Sequence, residues 1–179
     1  MKPKLTSSAT DRNLIALLGA ASIFLALIEH MIPKPVPFLR IGLANLPILI
    51  ALRLLKPRQI LAVVLLKILG QGLVNGTLFS YIFLFSAAGS ISSVLVMLGV
   101  SRLSEKLVSL VGISIAGGLS STLAQLALAF WLIFGRTALY IAPVFLAVTL
   151  VTSIVLGMVA SSFCRSSNWF RRTAGAMDR

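Results

Sequence analysis

Residues 59–75 read QILAVVLLKILGQGLVN, a long run of apolar residues interrupted by few polar ones. A helix rises about 1.5 Å per residue, so such a run reaches roughly 25 Å, close to the ~30 Å thickness of a bilayer's hydrocarbon core. Lys56-Pro57-Arg58 starts it and Asn75-Gly76 closes it with turn chemistry. Its interior polar residues are not scattered. Lys67, Gln71 and Asn75 follow one another at steps of four and share one helical face. The stretch reads as a helix that crosses a membrane and carries a polar stripe.

The same kind of run recurs along the chain, at about 14–32, 41–55, 59–74, 78–100, 107–134 and 138–163. The expected fold class is therefore all-α. It is a polytopic membrane protein of six transmembrane helices, a single domain over 1–179, with a short basic tail at 164–179. Three prolines between Pro33 and Arg40 mark a loop, because proline lacks the donor that a helix interior needs. Pro47 is expected to kink the short second helix. The fifth is long enough to tilt or to break at Gly117-Gly118.

Composition supports lipid as the solvent. Of 179 residues, 58% are hydrophobic and 11% charged, and the mean hydropathy is +1.03. Soluble domains carry about 25% charged residues. The net charge of +12 is spread between apolar runs rather than gathered on a water-facing module, which argues against nucleic acid as a partner. One cysteine, Cys164, excludes an internal disulfide. The first run ends in Glu29, His30, Met31, Ile32 and Pro33 rather than a cleavage site, and reads as a retained helix.

Charge counting sets the orientation, since Lys and Arg collect in cytoplasmic loops. One side takes Lys2, Lys4, Arg12, Arg53, Lys56, Arg58, Arg102, Lys106, Arg165, Arg171, Arg172 and Arg179. The other takes only Lys34, Arg40 and Arg136. Twelve against three puts both termini in the cytoplasm.

Ionisable groups within spans cost about 2.5–3.5 kcal/mol each on insertion scales, so each is a site candidate. Lys67 is the clearest, with Gln71 and Asn75 beyond it. The alternative is that Lys67 snorkels to the interface and the amides bond neighbouring helices. Glu29 and His30 end the first helix, and Arg40 and Asn45 open the second. Glu29 pairing with Arg40 is a plain structural reading of that end. Gln125, on the fifth helix, is a candidate to face a cavity. The small residues of the fourth and fifth helices, Ser86 to Ser93 and Ser114 to Ser121, read as surfaces for close helix packing. Ala16 to Ala20 forms a small-xxx-small groove suited to another helix.

Absences narrow the chemistry. No G-x-x-x-x-G-K-[ST] motif is present, so no ATP binds through a P-loop. Asp11 and Asp178 are the only aspartates, and neither Mg-diphosphate chemistry nor a metal site has the clustered ligands it needs. There is no nucleophile–base pair. The expectation is a binding subunit without cofactor or metal, and not an enzyme by itself.

Three stretches carry a resemblance: Gly42-Leu43-Ala44-Asn45, Gly76-Thr77-Leu78-Phe79-Ser80, and Gly112-x-Ser114 through to Gln125. Together they resemble the Gx transporter family, also described as heptaprenyl diphosphate synthase component I, over about Leu14 to Phe163. That family is similar to the substrate-binding (S) components of energy-coupling factor (ECF) importers. The resemblance implies a six-helix bundle in the bacterial cytoplasmic membrane with an outward-facing pocket. It implies docking through Ala16 and Ala20 onto a transmembrane coupling subunit with ATPases. The ligand candidates are then Glu29, Arg40, Asn45, Lys67, Gln71, Asn75 and Gln125. Members often carry a His-Asn pair four and three residues before the glutamine. Here those positions are Ser121 and Thr122. The alternative the resemblance implies is an accessory membrane subunit in isoprenoid or quinone metabolism, or in flavin-linked electron transfer.

Overall fold

A computed structural model describes residues 8–31, 42–103 and 108–177, and every regular element among them is helical. The order is α1 (Ser8–Met31), α2 (Leu46–Leu54), α3 (Pro57–Val74), α4 (Tyr81–Leu103), α5 (Leu110–Ala129), α6 (Ala138–Ser166) and α7 (Asn168–Met177). Four helical segments are long and apolar enough to cross a membrane: Asp11–Glu29, Pro57–Val74, Tyr81–Arg102 and Leu110–Ser166. The last contains both α5 and α6. It turns back through a π-helical stretch, Phe130–Phe134, and a 3-10 turn, Gly135–Thr137, where Gly135 takes a positive φ of 53°.

Sequence and structure part company at the second helix. The expected span at 41–55 is only a 3-10 turn, Leu43–Asn45, followed by nine residues of α-helix. Twelve residues reach roughly 18 Å, about three-fifths of a hydrocarbon core. Pro47 does not kink this helix. It lies in the first turn, where its missing N–H is an orphan in any case. The expected loop at 33–40 lies outside the described residues. The fifth helix does not break at Gly117-Gly118 but runs straight through to Ala129. The basic tail begins with the last turn of α6 and continues as α7, set off from α6 by Ser167 in an extended conformation. The Ser167 hydroxyl accepts from the Phe170 N–H at 3.3 Å, a side-chain N-cap.

Local chemistry fixes the other joints. Lys56 is extended, as a residue before proline prefers, and Pro57 opens α3. Gln59 binds back to the Lys56 N–H through Oε1 at 2.8 Å and donates to Asp11 Oδ2 at 2.6 Å, tying the start of α3 to the start of α1. α3 ends in a Schellman motif. Gly76 has φ 64°, Thr77 N–H donates to Gly72 O at 2.9 Å, and Gly76 N–H to Leu73 O at 3.2 Å.

Helix directions follow from the contacts. Asp11 meets Gln59, Gly19 packs on Leu66, and Ile23 packs on Gly70, so α1 and α3 run parallel. Gly72 sits against Leu78 and Phe83, so α4 folds back beside α3. Ser92 bonds Ser120, and Met97 lies on Gly117, so α5 is antiparallel to α4. Ser114 Oγ donates to Ser153 O at 2.8 Å and Thr122 Oγ1 pairs with Thr149 Oγ1 at 2.7 Å, so α6 is antiparallel to α5. The start of α1 and the end of α6 therefore lie at one end of the bundle. The chain between two parallel helices must return, and α2 forms the part of that return nearest this end.

The small residues act as contact surfaces, as read from the sequence. A Cβ on Gly157 would come within 2.6 Å of Val111 Cα. With lipid tails as apolar as the side chains, such close packing and interhelical hydrogen bonds are what hold helices together. The main core surrounds α2. Ile48, Leu49, Ile50, Ala51 and Leu54 are buried against Leu14, Leu18, Ile60, Val63, Val64, Met97 and Ala160. A second, smaller core of Phe85, Ala129 and Ala138 lies toward the opposite end.

Candidate functional site

One group of buried polar residues lies beyond the α2 core, where α1, α3 and the 3-10 turn before α2 come together, while the others lie on α4, α5 and α6. The buried stripe of α1 runs Leu14, Leu18, Ser22, Ala26, Glu29, at helical spacings of three and four. That of α3 runs Ile60, Val63, Val64, Lys67, Ile68, Gln71. Both stripes are aliphatic near the basic end and polar beyond it.

Lys67 is the centre of this group. It is 3% exposed, and its Nζ donates to Asn45 Oδ1 at 2.6 Å. It does not snorkel, since its charge stays inside the bundle. Asn45 is the last residue of the 3-10 turn and precedes α2. Gly42 begins that turn in the left-handed region, φ 87°, which glycine enters without steric penalty. Its N–H points at both carboxylate oxygens of Glu29, each at 3.2 Å. The carboxylate thus sits at the N-terminal end of the short helical segment, where backbone partial positive charge favours an anion. Glu29 is itself 5% exposed. Gln71 is buried one turn beyond Lys67, and Asn75 caps α3 half-buried, its N–H donating to Gln71 O at 3.1 Å.

Glu29, Asn45, Lys67 and Gln71 thus line one region. Arg40, and with it the Glu29–Arg40 pairing, lies outside the described residues. Gln125 does not join the group. Its Nε2 donates to Ser121 Oγ at 3.3 Å and packs on Gly89, so it fills the α4–α5 contact. Ser121 and Thr122, which stand where the resemblance has His-Asn, are likewise used in helix packing. Ala16 and Ala20 are exposed on the outer side of α1.

Two participants escaped the sequence reading. Gly42 contributes a backbone donor, which no side-chain inventory finds, although its place in the Gly-Leu-Ala-Asn motif was a pointer. Ser22 is fully buried, and its hydroxyl has no hydrogen-bond partner among the described residues. It lies on α1 between Gly19 and Ile23, which pack on Leu66 and Gly70, and so at the level of Lys67. A run of serines and alanines in an apolar helix does not single it out.

The arrangement gathers a buried cation bonded to an amide oxygen, a buried carboxylate bonded to a backbone N–H, and a further buried amide, Gln71, in one interior region. Compared with known proteins, residues 18–163 match the family model described as heptaprenyl diphosphate synthase component I. No curated protein and no solved structure matches the chain.

Proposed function

The chain belongs to the heptaprenyl diphosphate synthase component I family, and from that premise we propose that it is a membrane-embedded capture subunit for a small anionic molecule. In this reading it crosses the bacterial cytoplasmic membrane six times with both termini inside. It binds its ligand from outside and passes it, as an ECF-type S component would, to a coupling subunit driven by ATPases. Ala16 and Ala20 on the exposed side of α1 form the docking groove. Glu29, Arg40, Asn45, Lys67, Gln71 and Asn75 are the ligand candidates, with Gln125 supporting the helix contact behind them.

The observation that carries the reading is the buried Lys67–Asn45 hydrogen bond. A lysine inside an apolar bundle is expensive unless its charge has a use or a partner. Membrane placement draws support from the aromatic residues. Tyr81, Trp131 and Tyr140 are exposed at one end of the bundle, and Trp169 lies at the other. Trp and Tyr favour the two membrane–water interfaces. The test is uptake and ligand binding by Lys67→Ala and Asn75→Ala. Unchanged values in both would remove the pocket from the account, and assembly that survives Ala16→Trp would remove the docking groove.

The family description favours a second reading, an accessory membrane subunit of a prenyl diphosphate synthase. The chain would then be the non-catalytic component beside a catalytic partner. Copurification separates the two. A coupling subunit with two ATPases supports capture for import, and a prenyl synthase or flavoprotein supports the accessory role.

A further inference from the structure

The α7 helix has two unlike faces. At 100° per residue, Trp169, Phe170 and Thr173 fall on one side, and Asn168 and Arg171 on the other. Phe170 packs onto the α2-centred core, and α7 touches both α2 and α6. Trp169, 38% exposed, lies with its ring centroid 6.5 Å from that of Phe163. Phe163 ends the exposed apolar surface of α6 that includes Val155, Met158 and Val159. The lipid-facing surface of α6 therefore continues onto the rim of α7 and stops there. On the polar side, Arg171 is exposed and held in place by a 2.8 Å hydrogen bond to Asn168 Oδ1. Helix directions bring Arg12, Arg53, Arg58, Arg102 and Arg165 to the same end, all exposed. The described carboxylate there, Asp11, accepts from Gln59.

We propose that α7 is an interfacial helix and that, with the arginines around it, it forms a binding surface for the headgroups of anionic phospholipids. A helix with an apolar face and a basic face lies in the plane of the headgroups. Each basic residue near an anionic surface contributes a free energy that corresponds to about fivefold in affinity. An acidic soluble protein would also meet the charge. It would not account for the tryptophan rim that runs on from the lipid-facing side of α6. The proposal rests on the membrane placement given above.

The test uses the full-length chain in detergent with equal amounts of phosphatidylglycerol and phosphatidylcholine, the retained lipids being counted by native mass spectrometry. Wild type is expected to retain phosphatidylglycerol preferentially. The double variant Arg165→Gln/Arg171→Gln loses that preference by at least about tenfold. Arg171→Lys, which keeps the charge, and Arg136→Gln, at the other end, keep the preference. Equal retention of the two lipids by wild type overturns the proposal. So does a double variant that behaves as wild type, or an Arg136→Gln variant that loses as much. A chain that stays soluble without detergent and retains neither lipid overturns the membrane placement as well, which separates the two failures.

Discussion

Lys67 Nζ and Asn45 Oδ1, 2.6 Å apart, join a membrane-length helix to the beginning of a half-length one. The bond lies where the aliphatic core around α2 gives way to polar groups. It holds the N-terminal end of α2 against α3, while Glu29, bonded to the Gly42 N–H, holds the same turn against α1. The turn before α2 is thus clamped from both sides by charged groups.

Removing either member of the Lys67–Asn45 pair has unequal consequences. Asn45→Ala leaves the lysine charge buried and deletes an acceptor, which costs about 2 kcal/mol for a bond to a charged group. Lys67→Met removes the charge together with its desolvation cost but leaves the Asn45 acceptor without this donor, so it costs less, about 1 kcal/mol. Denaturant unfolding in detergent micelles gives both values. A larger loss for Lys67→Met than for Asn45→Ala would contradict the role assigned to the pair.

Ser22→Ala deletes a fully buried hydroxyl that lacks a partner among the described residues. The expected result is a gain of about 1 kcal/mol in stability of the unliganded protein, since a desolvation cost disappears and no bond is lost. A drop in melting temperature would show that the hydroxyl is satisfied in the protein.

Two glycines predict opposite signs. Gly157→Ala puts a methyl within 2.6 Å of Val111 Cα, a backbone atom that cannot step aside, so α5 and α6 must separate. The cost is about 1–3 kcal/mol. At Gly99, in α4, a Cβ meets nothing within 4 Å. Gly99→Ala should instead stabilise by about 0.5–1 kcal/mol through helix propensity. Thermal inactivation of the two variants side by side checks both signs.

Orientation is open to labelling. On a Cys164→Ser background, a cysteine at Arg136 should react with a membrane-impermeant maleimide added to intact cells. One at Arg58 should react only after the cells are opened. The reverse pattern would invert the topology, and labelling of both from outside would contradict the membrane placement.

Much of the fold was legible because helices in lipid announce themselves as long apolar runs, as in 59–75. The length of the second helix was not. Its residues are as apolar as those of a span, but they are apolar because they fill the core, and hydropathy does not separate burial in protein from burial in lipid. The same ambiguity hid α7, whose apolar and basic residues alternate too quickly to register as a run. Lys67, Gln71 and Glu29 stood out because ionisable and amide groups are rare in such segments. Gln125 stood out for the same reason, yet it serves helix packing against Gly89, a distinction that only three-dimensional neighbours reveal. Gly42 acts through its main chain, so only its position in a motif pointed to it.

The region around Lys67 is proposed to hold an anionic small molecule. Native mass spectrometry of the chain purified from its own membranes, as wild type and as Lys67→Ala, tests it most directly. A bound anionic small molecule is expected on wild type and is lost from Lys67→Ala, with the variant still folded. The same molecule retained by both, or a wild type that carries lipid alone, would contradict it.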